Sequence, residues 1–194
     1  LAPVFGHIVE HHHDAALETI ALIAGVGGIA IAGLLYMVSK DRLALFKEAI
    51  GELTRMGGKE AAIDYGPFLE TNDFMFNGLW LAERLVSVSP FIHDKPDSLH
   101  PVTREVILRA EKYSAADLVE GLYRLKILHN HISGLLDGVD VMVVPTAGTI
   151  YRIREVEADP ITLNANMGYY TNFVNLLDLA AISVPNGFLP DGVP

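Results

Sequence analysis

The sequence contains no cysteine. This absence excludes disulfides, thiol nucleophiles and cysteine-ligated metals, and it leaves the redox compartment open. Basic residues are also scarce, since 14 Lys and Arg stand against 24 Asp and Glu for a net charge of −10. A nucleic-acid backbone is held by clustered Lys and Arg, so the charge balance argues against nucleic acid as a partner.

Basic residues are missing entirely from residues 1–39, where the charged residues are Glu10, Asp14 and Glu18. All 14 Lys and Arg lie from Lys40 onward. This change in composition predicts two pieces, residues 1–40 and residues 41–194. The second piece, with its mixture of apolar and charged residues, is typical of a folded domain.

Residues 20–38, IALIAGVGGIAIAGLLYMV, lack charge, Asn, Gln and proline. As a helix they would extend about 28 Å, close to the ~30 Å hydrocarbon core of a bilayer. Lys40 and Arg42 follow, which would place the C-terminal flank in the cytoplasm. We therefore expect an apolar N-terminal helix that can associate with a membrane. A buried core helix, or an apolar hairpin broken at Gly27-Gly28, is the alternative.

Residues 10–14, EHHHD, invite a metal-site interpretation. Adjacent helical residues point about 100° apart and do not converge on one ion, so a solvated cluster is the better hypothesis and no metal site is predicted. The run LAPVFGHIVEHHHDAALE, with the apolar segment and LLYMVSKD after it, resembles the C-terminal end of subunit L of NADH-quinone oxidoreductase. The resemblance is confined to about forty residues and carries no functional motif.

The pattern from Asp41 onward predicts an α/β protein. A helical stripe starts at 41 and ends at Gly57-Gly58, and Ser114 with Asp117 forms a capping box for a long helix to about Leu136. Further helices are expected over 70–88 and 101–113, with short ones on both sides of Gly168. Strands are expected in KEAAIDY (59–65), VDVMVVP (139–145) and AAISVP (180–185).

Catalytic patterns are scarce. None of the serines lies in a Gly-rich turn that would expose a nucleophile; they are Ser39, Ser87, Ser89, Ser98, Ser114, Ser133 and Ser183. His129 and His131 point to different sides of one helix, and the acids at 155, 157 and 159 are typical of a solvated loop. Arg84, in WLAER, could hold a carboxylate through its planar fork, or could be a structural arginine paired with an acid.

Residues 139–188, VDVMVVPTAGTIYRIREVEADPITLNANMGYYTNFVNLLDLAAISVPNGF, resemble the later part of the amidase-signature domain of allophanate hydrolase. Residues 63–85, IDYGPFLETNDFMFNGLWLAERL, resemble an earlier part of the same domain, so the resemblance covers roughly 41–194. It implies an incomplete mixed sheet with flanking helices, preceded here by the apolar segment. It also implies hydrolysis of allophanate to ammonium and carbon dioxide in urea-type nitrogen catabolism, in the cytoplasm and without a cofactor.

The same resemblance implies a Ser–cis-Ser–Lys triad, which the family carries in a Gly/Ser-rich part of the domain. The present sequence contains no such Gly/Ser-rich stretch. No catalytic residue carries over, so the chain is expected to be inactive alone. A Tyr and an Arg of the family recognise the substrate's carboxylate end. Arg84 matches the arginine, whereas Phe76 stands where the family has Tyr and Leu79 where it has Pro.

The expected partner is therefore a small-molecule amide or carboxylate, bound once the missing half of the domain is supplied. A recombined or misassembled gene, or a genuine fusion, would give such a chimera. A membrane reached through residues 20–38 and a homo-oligomer are further partners that the sequence allows. Two other functions stay open, namely a membrane-anchored binding protein and an accessory protein of a respiratory complex.

Overall fold

A computed structural model describes residues 22–24, 29–31, 40–61, 63–190 and 192. The strands are β1 (Leu22–Ala24), β2 (Ile29–Ile31), β3 (Gly58–Ala61) and β4 (Val141–Val143). The helices are α1 (Lys40–Arg55), α2 (Gly66–Asp73), α3 (Leu79–Val88), α4 (Phe91–Asp94), α5 (Pro101–Leu108), α6 (Ala115–Leu135), α7 (Ile153–Ala158), α8 (Thr162–Met167) and α9 (Phe173–Leu176). Short 3-10 helices cover Pro96–Ser98 and Arg109–Lys112.

The sheet has the strand order β3-β1-β2-β4. β1 runs antiparallel to both β2 and β3, with Leu22 opposite Ile29 on one side and Glu60 on the other. β2 runs parallel to β4, with Ile29 opposite Val141. The sheet is therefore mixed, as expected, and β3 and β4 are not neighbours because the N-terminal strand pair lies between them.

The expectation of an apolar N-terminal helix over 20–38 is wrong where the structure describes that segment. Residues 22–24 and 29–31 form strands, as in the hairpin alternative. Two causes favour this outcome. Glycine disfavours a helix by about 1 kcal/mol relative to alanine, and Gly25, Gly27 and Gly28 all fall within one stretch of this segment. The strands also find partners in β3 and β4.

A search of the described residues for a helix both long and apolar enough to cross a bilayer finds none. The transmembrane prediction therefore has no support. The His cluster at 11–13 and the remainder of residues 1–21 lie outside the described residues.

An aromatic core forms where α2, α6 and α9 meet. The rings of Phe68 and Phe173 pack edge to face with centroids 5.0 Å apart, and Tyr65 stacks on Phe68 at 5.5 Å. Ile63, Ile132 of α6, Tyr170 and Leu177 after α9 complete this buried cluster. The pieces of chain that resemble one family, residues 63–85 and 139–188, therefore share one core.

Two other secondary-structure predictions need correction. The helix expected over 70–88 is two helices, because residues 74–78 form a turn in which Gly78 has φ +88°. The strand expected at 180–185 is absent from the described residues. That segment is exposed, and no strand of the described residues pairs with it. Instead Asn186 donates to the Leu45 carbonyl at 2.6 Å, and the Ser183 and Thr146 hydroxyls lie 3.3 Å apart.

Candidate functional site

The turn between α2 and α3, residues 74–78, is held by a dense set of backbone hydrogen bonds. The N–H of Met75 donates to the Asn72 carbonyl at 3.0 Å, and the N–H groups of Phe76 and Asn77 donate to Asp73 at 3.3 and 3.0 Å. The N–H of Gly78 donates to the Tyr113 hydroxyl at 2.8 Å. The turn is thereby tied to the segment that precedes α6.

Arg84 lies on α3, partly buried, and its side chain reaches back to this turn. Its Nη1 donates to the Met75 carbonyl at 3.3 Å, and its Nη2 lies 3.9 Å from the Met75 sulfur. A guanidinium has five N–H donors. The contacts with Met75 therefore orient the Arg84 guanidinium and leave other N–H groups to donate to a further acceptor.

The sequence left open whether Arg84 pairs with an acid. Among the residues that the structure describes, no carboxylate lies within ion-pair distance of Arg84. Other arginines do have acidic partners: Arg55 with Glu52, Arg104 with Asp97, Arg109 with Glu105 and Arg124 with Glu70. A partly buried charge without a counter-ion is unfavourable, which makes Arg84 the best candidate here for binding an anionic ligand.

Phe76 follows Met75 directly, so the structure brings the turn carrying Phe76 and the Arg84 side chain together. The Phe76 ring is partly buried and offers no hydrogen-bonding group. No cation–π contact joins Phe76 to Arg84 in the described part of the chain. Sequence reasoning missed Met75 as the anchor of Arg84; the turn dipeptide Asn77-Gly78 was the signal that the chain reverses there.

A second polar connection joins α2 to the segment after α8. Asn72 Nδ2 donates to the Tyr169 carbonyl at 2.6 Å, and the Tyr65 hydroxyl donates to the same oxygen at 3.4 Å. Burial raises the pKa of Tyr65 far above its usual value, and the neighbouring Tyr169 and Tyr170 add to the effect. Tyr65 is therefore a neutral donor at physiological pH, and this connection is structural.

The remaining candidates carry no catalytic geometry. The hydroxyls of Ser87 and Ser133 donate to carbonyls of their own helices, and within residues 40–61 and 63–190 no serine hydroxyl bonds to a lysine or another serine. Glu155 accepts from the Arg152 N–H at 2.6 Å and so caps α7, which means that Glu155 and Glu157 lie in a helix and not in the expected loop. His129 and His131 are exposed, and no group of three metal-ligating side chains converges in the described residues.

Comparison with known proteins identifies relatives across most of the chain. Urea amidolyase of Saccharomyces cerevisiae is 39% identical over 152 residues, which are 77% of this chain and 8% of that protein. Fatty acid amide hydrolase of Medicago truncatula is 37% identical over 124 residues, 58% of this chain and 20% of the relative. No protein-family model matches the chain.

Solved structures identify relatives of the same kind. Allophanate hydrolase of Kluyveromyces lactis superposes with a TM-score of 0.77 at 34% identity, over 80% of this chain and 26% of that one. A variant of the same enzyme gives a TM-score of 0.79 at 32% identity, over 84% and 27%. The resemblance of residues 41–194 to allophanate hydrolase is confirmed. The chain spans about a tenth or less of the urea amidolyases and about a quarter of the allophanate hydrolase chains. None of these relatives supports the resemblance of residues 1–40 to subunit L, which stays a prediction.

Proposed function

We propose that this chain is a piece of an allophanate hydrolase-like amidase that binds the carboxylate end of a small amide substrate through Arg84. Residues 41–194 form this amidase piece, and residues 1–40 precede it. The reaction of the completed enzyme would be hydrolysis of an amide C–N bond, with allophanate as the substrate. It would take place in the cytoplasm as part of urea-type nitrogen catabolism.

One observation carries the proposal: Arg84 is partly buried, anchored to Met75, and without an acidic partner in the described residues. An incoming carboxylate would accept two parallel N–H bonds from its fork, which is the strong form of this interaction. The likeness to allophanate hydrolase over most of the chain supports the choice of substrate.

The 194 residues by themselves are proposed to be inactive. Acyl transfer requires a nucleophile within hydrogen-bonding reach of a base. The serines within the described residues have no lysine or serine partner, and Arg84 can bind a carboxylate but cannot act as a base because a guanidinium has only N–H donors and no acceptor. Turnover therefore requires catalytic residues other than those that the structure describes.

Titration of malonamate, in which a methylene replaces the allophanate N–H, tests the binding step. Shifts of the Arg84 Nε–H signal in ¹⁵N-labelled protein should saturate, and neutral malonamide of the same size should leave them unchanged. Arg84→Ala should weaken binding roughly 10- to 100-fold, since a charge-assisted hydrogen bond contributes about 1.5–3 kcal/mol. Arg109→Ala, which removes another partly buried arginine that is already paired with Glu105, is the matched control. Equal affinity in Arg84→Ala and the unmodified chain would refute the proposal.

A further inference from the structure

Tyr113 lies between the 3-10 helix Arg109–Lys112 and α6, and its hydroxyl reaches the turn between α2 and α3. This hydroxyl accepts a hydrogen bond from the Gly78 N–H at 2.8 Å, across 35 positions of sequence. No backbone carbonyl of the described residues accepts from the Gly78 N–H. The Tyr113 hydroxyl is therefore the group that holds the turn at Gly78.

Gly78 is the residue of the turn that most needs a hydrogen bond from outside. Its φ of +88° and ψ of −137° are accessible to glycine and rarely to other residues. Gly78 is also the N-cap of α3, and it provides no side-chain capping bond. Because glycine loses more backbone freedom on ordering than any other residue, a bond to its N–H fixes the start of α3.

The backbone of Tyr113 is itself held on both sides. Its N–H donates to the carbonyl of Ala110, a buried residue, at 3.1 Å. On the other side, Ser114 and Asp117 form the capping box that begins α6. The helix α3 packs against the 3-10 helix and against α6. Tyr113 is therefore a fixed point relative to which the turn is held.

The turn that Tyr113 holds is the one that orients Arg84. The Met75 carbonyl, three residues before Gly78, accepts from Arg84 Nη1 at 3.3 Å. Arg84 lies on α3, where the Leu81 N–H donates to the Gly78 carbonyl at 3.2 Å. Gly78 thus connects the carbonyl that orients the guanidinium to the helix that carries it. A displacement of Gly78 would change the position of one relative to the other.

We propose that Tyr113 is a positioning residue for carboxylate binding at Arg84. Its hydroxyl holds Gly78 and so keeps the Met75 carbonyl and the Arg84 guanidinium in a fixed relation before a ligand arrives. A carboxylate accepts two parallel N–H bonds only from a correctly oriented guanidinium, and a site ordered in advance binds more tightly. Tyr113 acts through Gly78 and not by contact with the ligand. The inference rests on the proposed binding of a carboxylate by Arg84.

Tyr113→Phe tests this role because it removes the hydroxyl and keeps the ring. Malonamate affinity, followed in the full chain through the backbone amide signals of residues 74–78, should fall roughly two- to tenfold, the effect of one neutral hydrogen bond. Tyr123→Phe is the matched control, since Tyr123 is 68% exposed and its hydroxyl has no hydrogen-bond partner among the described residues. It should leave the affinity unchanged. An equal loss of affinity in the two variants would overturn the proposal.

The same substitution in an Arg84→Ala background separates positioning from a general structural effect. There Tyr113→Phe should leave the residual affinity unchanged. In the ligand-free protein that retains Arg84, it should move the Arg84 Nε–H signal toward its position in the unfolded chain. Urea denaturation gives the folded fraction of each variant, so that affinities are compared for folded protein. An unmoved Nε–H signal, or the same loss of affinity with and without Arg84, would refute positioning.

The outcomes also distinguish this inference from the proposed function. Weaker binding in Arg84→Ala with unchanged binding in Tyr113→Phe would overturn the positioning role and leave carboxylate binding at Arg84 intact. Unchanged binding in Arg84→Ala would overturn both. Weaker binding in each single variant, with no further loss in the double variant beyond that of Arg84→Ala, is the result that positioning predicts.

Discussion

The side-chain amide of Asn72 donates a 2.6 Å hydrogen bond to the main-chain carbonyl of Tyr169, 97 positions further along the chain. Gly168 precedes Tyr169 and lies against the side-chain amide of Asn172, and a Cβ added at 168 would be 2.6 Å from the Asn172 Cγ. The Asn172 N–H donates to the Gly168 carbonyl at 2.9 Å, which holds the two residues close together. A larger residue at 168 therefore forces the Asn172 side chain to move.

Gly168→Ala should lower the free energy of unfolding by about 1–3 kcal/mol through this overlap. In an Asn172→Ala background the same change should be neutral or stabilising by about 0.4–1 kcal/mol, because φ at 168 is −90° and alanine restricts the unfolded chain. Urea denaturation of the two single variants and the double variant measures this reversal. Additive effects would show that Asn172 and Gly168 do not interact.

Phe76→Tyr should strengthen malonamate binding, because a hydroxyl restored at this position would add one hydrogen bond to the ligand. A neutral hydrogen bond is worth about 0.5–1.5 kcal/mol, so we expect a gain of roughly two- to tenfold. The titration used for Arg84 measures it. Phe74→Tyr, in the same turn, is the control and should have no effect. A gain of the same size in both variants would indicate a non-specific effect.

Ser114→Ala should cost about 1 kcal/mol of stability, since Ser114 caps α6 by accepting from the Asp117 N–H. Ser133→Ala should be neutral, because that hydroxyl bonds only within its own helix. Chemical denaturation of both variants checks the difference. An equal loss in the two would mean that the cap contributes nothing.

The same cap predicts a dependence on pH. Hydrogen bonds from the Ser114 hydroxyl and N–H lower the pKa of Asp117 in the folded state. The unfolded side chain has its ordinary value near 3.9, so this contribution is complete above about pH 4 and declines as the pH falls through the folded-state pKa. The midpoint of urea denaturation should fall less steeply between pH 5 and 2 in Ser114→Ala. Parallel curves for the variant and the unmodified chain would exclude this linkage.

Phe68→Ala should be the most damaging of these changes. Phe68 is fully buried and contacts both Tyr65 and Phe173, so its removal leaves a cavity and should cost about 3–5 kcal/mol. Phe188→Ala, at a ring 72% exposed, should change stability by less than about 0.5 kcal/mol. Thermal or urea unfolding compares the stabilities of the two variants. A small loss of stability in Phe68→Ala would contradict the described core.

Local signals predicted the elements that depend on local chemistry. The Ser114–Asp117 capping box marks the start of α6, and Gly57, with φ +102°, follows the end of α1 as expected. The short helices around Gly168 and the strand at 141–143 were also predicted correctly. These features rest on caps, turn residues and periodicity within a few positions.

The predictions that failed depend on partners distant in the sequence. Residues 22–24 and 29–31 are strands because β3 and β4 pair with them, and periodicity within 20–38 contains no information about that pairing. Ile182 and Val184 have the composition of a strand, but no described strand lies beside them. At the candidate site, Arg84 was identified from its position in WLAER, whereas its anchoring by Met75 required the three-dimensional turn at 74–78.

The most direct test of the account measures ammonium released from allophanate by the purified 194-residue chain. A boiled sample of the same protein provides the spontaneous rate. We predict that the two rates are equal, because Arg84 can bind the carboxylate but no described serine hydroxyl bonds to a lysine or to another serine. Ammonium release above the boiled sample would show that these residues contain a complete catalytic site and would contradict the account.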